Sequence, residues 1–190
     1  MKVRAPSISR VVMIVFVALS AINAPPFVIA GQQSDSWIRF TSKEGRYSIL
    51  LPSQPSVGTQ EAATADGTKF TQYKATVAGD GAVFMVAYFD YAQGIVFTID
   101  KARDGMVEAI HGTLLTERPV TLSGQTGREL RVAAKDESGT EYIIRARMFD
   151  MSGRVYVLQM ITPKVNDEAS VTIADRYMNS FQVMSADDHH

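Results

Sequence analysis

His111 is the only histidine between residues 31 and 184, and a lone imidazole is the first group in this chain with the chemistry of a general base. A base needs an orienting partner and a nucleophile within hydrogen-bond reach. Glu108 stands three residues earlier, at helical spacing, and carries the charge to orient the ring. No serine sits in a nucleophile-elbow setting, and no second histidine accompanies the first. The competing reading is a histidine at a helix C-terminus, where the helix dipole favours a cation. That reading is preferred, and it leaves the chain with no predicted catalytic residue.

Three arginines, Arg131, Arg145 and Arg147, form the second candidate. Spaced on alternating positions of adjacent strands, they would line one sheet face as an anion or partner patch. Glu129 and Glu141 are near in the same ladder, so cross-strand ion pairing on a solvated face is the simpler account. Asp187-Asp188-His189-His190 has metal-ligating side chains but reads as a solvated tail. There is no HExxH, no cysteine, no EF-hand loop and no phosphate-binding glycine motif, so no metal and no cofactor is expected. Gly79-Asp80-Gly81 reads as a turn. Tyr88, Phe89, Tyr91 and Phe97 would edge a ligand groove or fill the core, and core is the expectation for aromatics on a central strand.

The elements that must position these groups are mostly strands. Arg46–Leu51 alternates and stops at Pro52, and the Pro52/Pro55 pair predicts a loop after it. Asp66-Gly67 marks a turn ahead of a strand at Thr68–Val77. Ala82–Tyr91 is apolar on both alternating faces, which predicts a strand covered on both sides. Thr98–Thr113 switches to helical spacing, with Ile99, Ala102, Met106, Ala109 and Ile110 on one side and Gly112 as its stop. Four strands follow, at Leu114–Leu122, Gln125–Ala134, Thr140–Met151 and Arg154–Thr162. Ser-Gly pairs at 123–124, 138–139 and 152–153 separate them, and such short links make neighbours antiparallel. Asn166–Phe181 is the second predicted helix, with Ser170, Ala174, Tyr177, Met178 and Phe181 facing inward. Strands joined by hairpins, with two helices, define an α+β class: an antiparallel β-sheet flanked by helices.

The first thirty residues read as an address. Lys2, Arg4 and Arg10 precede an apolar run of about a dozen residues at Val11–Ile22, too short for the roughly 20 a spanning helix needs. Pro25-Pro26 breaks the run, and Val28 and Ala30 fit a leader-peptidase site, so residues 1–30 are expected to be a signal peptide with Gly31 as the new N-terminus. Residues 31–36 then form a spacer, 37–183 a single domain and 184–190 a polar tail. Membrane contact is expected only through an uncleaved leader. The leader holds three of the 19 basic residues and no acid, so the remaining 16 stand against 20 acidic residues, a net charge of −4. That balance argues against nucleic acid as a partner. With no cysteine, there is neither a disulfide nor a site for lipid anchoring, and packing alone must hold about 160 residues together.

Trp37-x-x-Phe40 leading into Glu44-Gly45-Arg46-Tyr47-Ser48-Ile49-Leu50-Leu51-Pro52 resembles the opening strand of PsbP-like domains, where a Gly-aromatic pair begins a strand that ends at a proline. Ala174-Asp175-Arg176-Tyr177-Met178-Asn179-Ser180-Phe181 is similar to the last helix of those domains, whose Ser-Phe closes the core. The order of elements agrees across residues 37–183. The resemblance implies an α/β/α sandwich around an antiparallel sheet. It also implies a binding or scaffold role, because the family includes an extrinsic photosystem II subunit, exported bacterial proteins of the DcrB type and a eukaryotic small-GTPase-binding protein. The family carries no shared catalytic residue. The DcrB type is lipid-anchored, and this chain departs from it in having no cysteine.

The expectation is therefore an exported, non-catalytic binding or scaffold domain, located outside the cytoplasmic membrane and joined to an envelope or extracytoplasmic protein. A small-molecule or lipid-binding extracytoplasmic protein is the alternative. A hydrolase built on His111 ranks third.

Overall fold

The computed structural model describes residues 37–63, 69–91 and 97–184. The expectations for the leader, the spacer, the Asp66-Gly67 turn and residues 185–190 lie outside them. Two sheets organise the described chain. β1 (Ile38–Ser42) and β2 (Tyr47–Leu51) form an antiparallel hairpin, and β10 (Gln182–Val183) adds to the other side of β2. The larger sheet contains β3 (Ser56–Ala63), β4 (Lys69–Gly79), β5 (Ala82–Asp90), β6 (Thr113–Leu122), β7 (Gln125–Lys135), β8 (Glu141–Asp150) and β9 (Arg154–Pro163). Its order is β3-β4-β5-β9-β8-β7-β6, and every pair is antiparallel.

Two apolar clusters lie on opposite sides of this sheet, and β5 feeds both. Phe89 faces one side, where α1 (Ile99–Ala109) packs Ala102 and Met106, with Ile110 just after it, against Leu130, Ile144 and Val157. Phe84, Val86 and Tyr88 face the other, against Ile49 and Leu51 of β2, Tyr177 of α2 (Val171–Asn179), and Phe181. The doubly apolar pattern of Ala82–Tyr91 therefore has the expected cause: a strand third of seven, covered on both faces. The chain is α+β, an antiparallel sheet with α1 on one face and α2 beside the small sheet on the other.

Three expectations are corrected. The segment after Pro55 is not a loop but β3. This strand is exposed on both faces for most of its length, so it carries no apolar alternation to read. The first helix ends at Ala109 rather than Thr113. His111 takes the left-handed conformation at φ 48°, its N–H donates to the Glu108 carbonyl at 3.0 Å, and the Gly112 N–H donates to the Val107 carbonyl at 2.9 Å. That pair is a Schellman stop, with histidine in the place usually held by glycine. The second helix starts at Val171, not Asn166, because Lys164–Asn166 is a 3-10 turn and Asp167 is drawn into contacts with the sheet. Phe181 lies beyond the helix but is still buried, at 3% exposure.

The Gly-aromatic pair at the start of β2 has a steric reason. A Cβ on Gly45 would stand 2.6 Å from the Tyr47 ring, and the Gly45 carbonyl accepts the Tyr156 hydroxyl at 2.7 Å. Only glycine lets the chain pass this close to the ring while its carbonyl reaches Tyr156.

Candidate functional site

Arg131 on β7 and Arg145 on β8 are directly opposite in register, while Arg147 is opposite Glu129. Asp167, in the turn before α2, is buried beneath the two opposed arginines. Its Oδ2 accepts from Arg131 Nη2, and from Arg131 Nε at 3.1 Å, while Oδ1 accepts from Arg145 Nη2 at 2.7 Å. Burial pushes the Asp167 carboxyl up, but the two guanidiniums outweigh it and hold the group below the usual carboxylate range. Glu129 behaves the same way. Burial raises it, and hydrogen bonds from Arg118 Nε at 2.7 Å and Arg147 Nε at 2.6 Å bring it below its ordinary value. Arg147 also donates from Nη1 to Asn179 Oδ1 at 2.9 Å.

The three predicted arginines are thus brought together, each engaged with a carboxylate. Glu129 joins them. Glu141 does not: it pairs with Lys135 at 3.3 Å and Lys164 at 2.9 Å at the end of the strand. Asp167, Arg118 and Asn179 were not expected here. Asp167 comes from a separate loop, and nothing in its local spacing announces a role on the sheet. An anion entering this group must compete with two internal carboxylates. One guanidinium nitrogen, Arg145 Nε, is buried without a hydrogen-bond partner.

His111 is exposed, and its backbone rather than its ring makes the bond to Glu108. Among the described residues, no group of three or more His, Cys, Asp or Glu side chains stands close enough to hold a metal ion. Gly79-Asp80-Gly81 is a tight turn between β4 and β5, with φ values of 49° at Asp80 and 74° at Gly81. The Asp80 carboxylate accepts the Trp37 indole N–H at 2.7 Å.

The aromatic quartet divides between the two faces. Phe89, Phe97 and Tyr91 join the α1 side, where Tyr91 and Phe97 stack at 5.3 Å. Tyr88 turns to the other side and stacks on Tyr73 with ring centroids 4.9 Å apart and planes 7° from parallel. This pair lines a cleft of about 510 Å³ between the β1–β2 turn and the β3–β4 hairpin. Phe40, Tyr47 and Val57 complete its apolar wall, and Lys43 stands at its rim. The Arg154 guanidinium lies 4.6 Å from the Tyr88 ring centroid and is held there by Asp90 at 2.6 and 2.7 Å. Burial pushes the Tyr47 and Tyr88 phenols up, so neither ionises near neutral pH. The cleft offers apolar area and stacking rather than acid–base chemistry. Of the four aromatics weighed from the sequence as a groove edge or core, only Tyr88 lines it, and its other walls went unread because they come from separate segments.

No family model matches the sequence, and no curated protein matches it. Among solved structures, the solution structure of cyanobacterial PsbP from Synechocystis sp. PCC 6803 superposes with a TM-score of 0.54 at 13% identity, covering 84% of this chain and 99% of that one. The chain has a PsbP-like fold. Two further structures overlap less well. One is a Pseudomonas aeruginosa protein of unknown function, with TM-score 0.46 and 13% identity over 76% of this chain and 94% of that one. The other is LpqN, involved in cell envelope biogenesis of Mycobacterium tuberculosis, with TM-score 0.39 and 13% identity over 80% of each chain. No helix of the described residues is long and apolar enough to cross a membrane.

Proposed function

We propose that this chain is an exported, non-catalytic domain that binds a partner protein outside the cytoplasmic membrane, through the aromatic cleft. The observation that carries this reading is the cleft itself. It is apolar, it opens at the margin of the large sheet, and its outer wall leaves Val57 66% and Tyr73 36% exposed. Apolar side chains exposed together at the wall of an apolar concavity support an interaction site. Export is supported by the basic, apolar and small-residue order of residues 1–30. The PsbP-like fold supports a binding role, and an α/β/α layer order is the arrangement we infer with it. The arginine group belongs to this reading as a secondary patch, in which Arg131, Arg145 and Arg147 meet an acidic partner surface.

A small-molecule or lipid ligand is the second reading, favoured by the cleft volume, which falls within the roughly 300–1,000 Å³ typical of ligand pockets. Photo-crosslinking separates the two. With a photoreactive phenylalanine analogue in place of Tyr73, source cells should yield one discrete crosslinked envelope protein. A crosslink only to lipid or to a small molecule transfers the cleft to the second reading. N-terminal sequencing of the same protein should begin at Gly31, and an intact Met1 in the membrane fraction would mean an anchor.

A further inference from the structure

We propose that β3 is a docking edge that takes an extended segment of the partner as an added strand, with one large apolar side chain of that segment seated in the aromatic cleft. This rests on the protein-binding reading above and names the chemistry of its partner.

The two margins of the large sheet are built differently. At one margin, β6 is guarded in the usual ways. Its register with β7 slips between Leu114 and Thr116, Pro119 brings no N–H, and Glu117 and Arg118 are tied into ion pairs. Bulges, prolines and charges are what keep a strand from pairing further. At the other margin, β3 is guarded by a single charge, Glu61, which accepts from the Thr71 hydroxyl of β4 at 2.8 Å. It pairs with β4 in unbroken register over eight residues, Ser56 to Ala63, and contains no proline, lysine or arginine. Among the described residues its outer side has no partner strand. About half of its backbone N–H and C=O groups therefore face outward, ready for a ladder.

The cleft lies on the same margin. Val57 and Thr59 project from β3 into its wall, in register with Ala75 and Tyr73 of β4. A strand added to β3 would carry alternate side chains onto this face, beside the stacked Tyr73–Tyr88 pair. This is recognition by strand addition, in which the backbone supplies the ladder and a pocket reads a side chain. A second copy of the chain does not fit as the occupant. Pairing β3 with its own copy places Val57, Thr59, Glu61 and Ala63 on the cleft face, and none of these is aromatic or as long as leucine. Charge defines the flank. Lys43 borders the cleft beside Glu44 and among the described residues is in no ion pair, whereas Lys74 turns to the opposite face and donates to Gln60 Oε1 at 3.1 Å. The fitting segment thus has a Phe, Trp or Leu with a carboxylate close by.

The test uses the full chain and a phage library of random decapeptides as probe. Enriched peptides should show alternating apolar residues around one large side chain, with Asp or Glu near it. A synthetic peptide of the enriched sequence should slow amide exchange across Ser56–Ala63. Val57→Lys and Thr59→Lys, at exposed positions, should weaken its binding at least ten-fold with the melting temperature unchanged. Methylating alternate amides of the peptide should abolish binding. The proposal fails if no peptide is enriched, if protection appears elsewhere, if the methylated peptide binds equally well, or if exchange protection of β3 comes from self-association. In source cells, a crosslinked protein whose capture survives Val57→Lys keeps the binding reading and removes strand addition. Absence of any crosslinked protein removes both.

Discussion

Arg131 and Arg145 are directly opposite each other on neighbouring strands, and the buried carboxylate of Asp167 reaches both. Like charges in that position repel. A single acid from a distant loop turns the repulsion into a clamp that fixes the approach to α2. Asp167→Asn leaves both guanidiniums without their counter-charge and should lower stability by roughly 1.5–3 kcal/mol, the range for hydrogen bonds to charged groups. Arg131→Lys, which keeps the charge but loses the fork, should cost less. Denaturant unfolding of the two variants measures the difference.

Acid stability follows from the same carboxylates. Asp167 and Glu129 are both held below their ordinary values by their arginine partners, even though burial opposes the shift. A group depressed in the folded state contributes stability above its unfolded value, near pH 4, and loses it as pH falls through the depressed folded value. The melting temperature should therefore be flat through neutral pH and fall below about pH 4. The fall should be shallower in Asp167→Asn. An equal fall in parent and variant places the acid-sensitive group elsewhere.

The closing residues give a graded set. Phe181 is 3% exposed and packs on Tyr47 and Tyr156 with ring centroids 5.6 and 5.4 Å away. Phe181→Ala should cost about 3–5 kcal/mol. Arg176 is exposed but lies 4.7 Å from the Trp37 ring centroid, so Arg176→Ala should cost only about 0.5–1 kcal/mol. Thermal melts of both should show that order.

Gly45→Ala tests the tight passage at the start of β2. The added methyl must displace the buried Tyr47 ring, and overpacking of this kind costs typically about 1–3 kcal/mol. Gly58→Ala on β3 meets nothing within 4 Å and should leave the melting temperature close to the parent's.

How much was legible depended on whether a residue's partners were local. Ala82–Tyr91 could be read because both of its faces are buried, and burial leaves an apolar residue at nearly every position. The α1 stripe could be read because one side of a helix alone faces the core. β3 could not, since a strand exposed on both faces for most of its length has no buried face to impose an apolar alternation, and so resembles a loop. The arginines were visible as a face because strand spacing puts them there. Asp167 was hidden because its meaning comes from a contact 36 residues away with Arg131. The cleft was hidden for the same reason, as Phe40, Val57, Tyr73 and Tyr88 share no spacing.

β10 is only two residues long, yet it completes the sheet that β1 and β2 begin. The Leu50 N–H waits for the Ser180 hydroxyl, 130 residues further along, and closes on it at 2.9 Å. The earliest described strands thus take their last neighbours from residues 180–183. Contacts of such long sequence separation form slowly, so the small sheet is the part of the fold whose closure comes late.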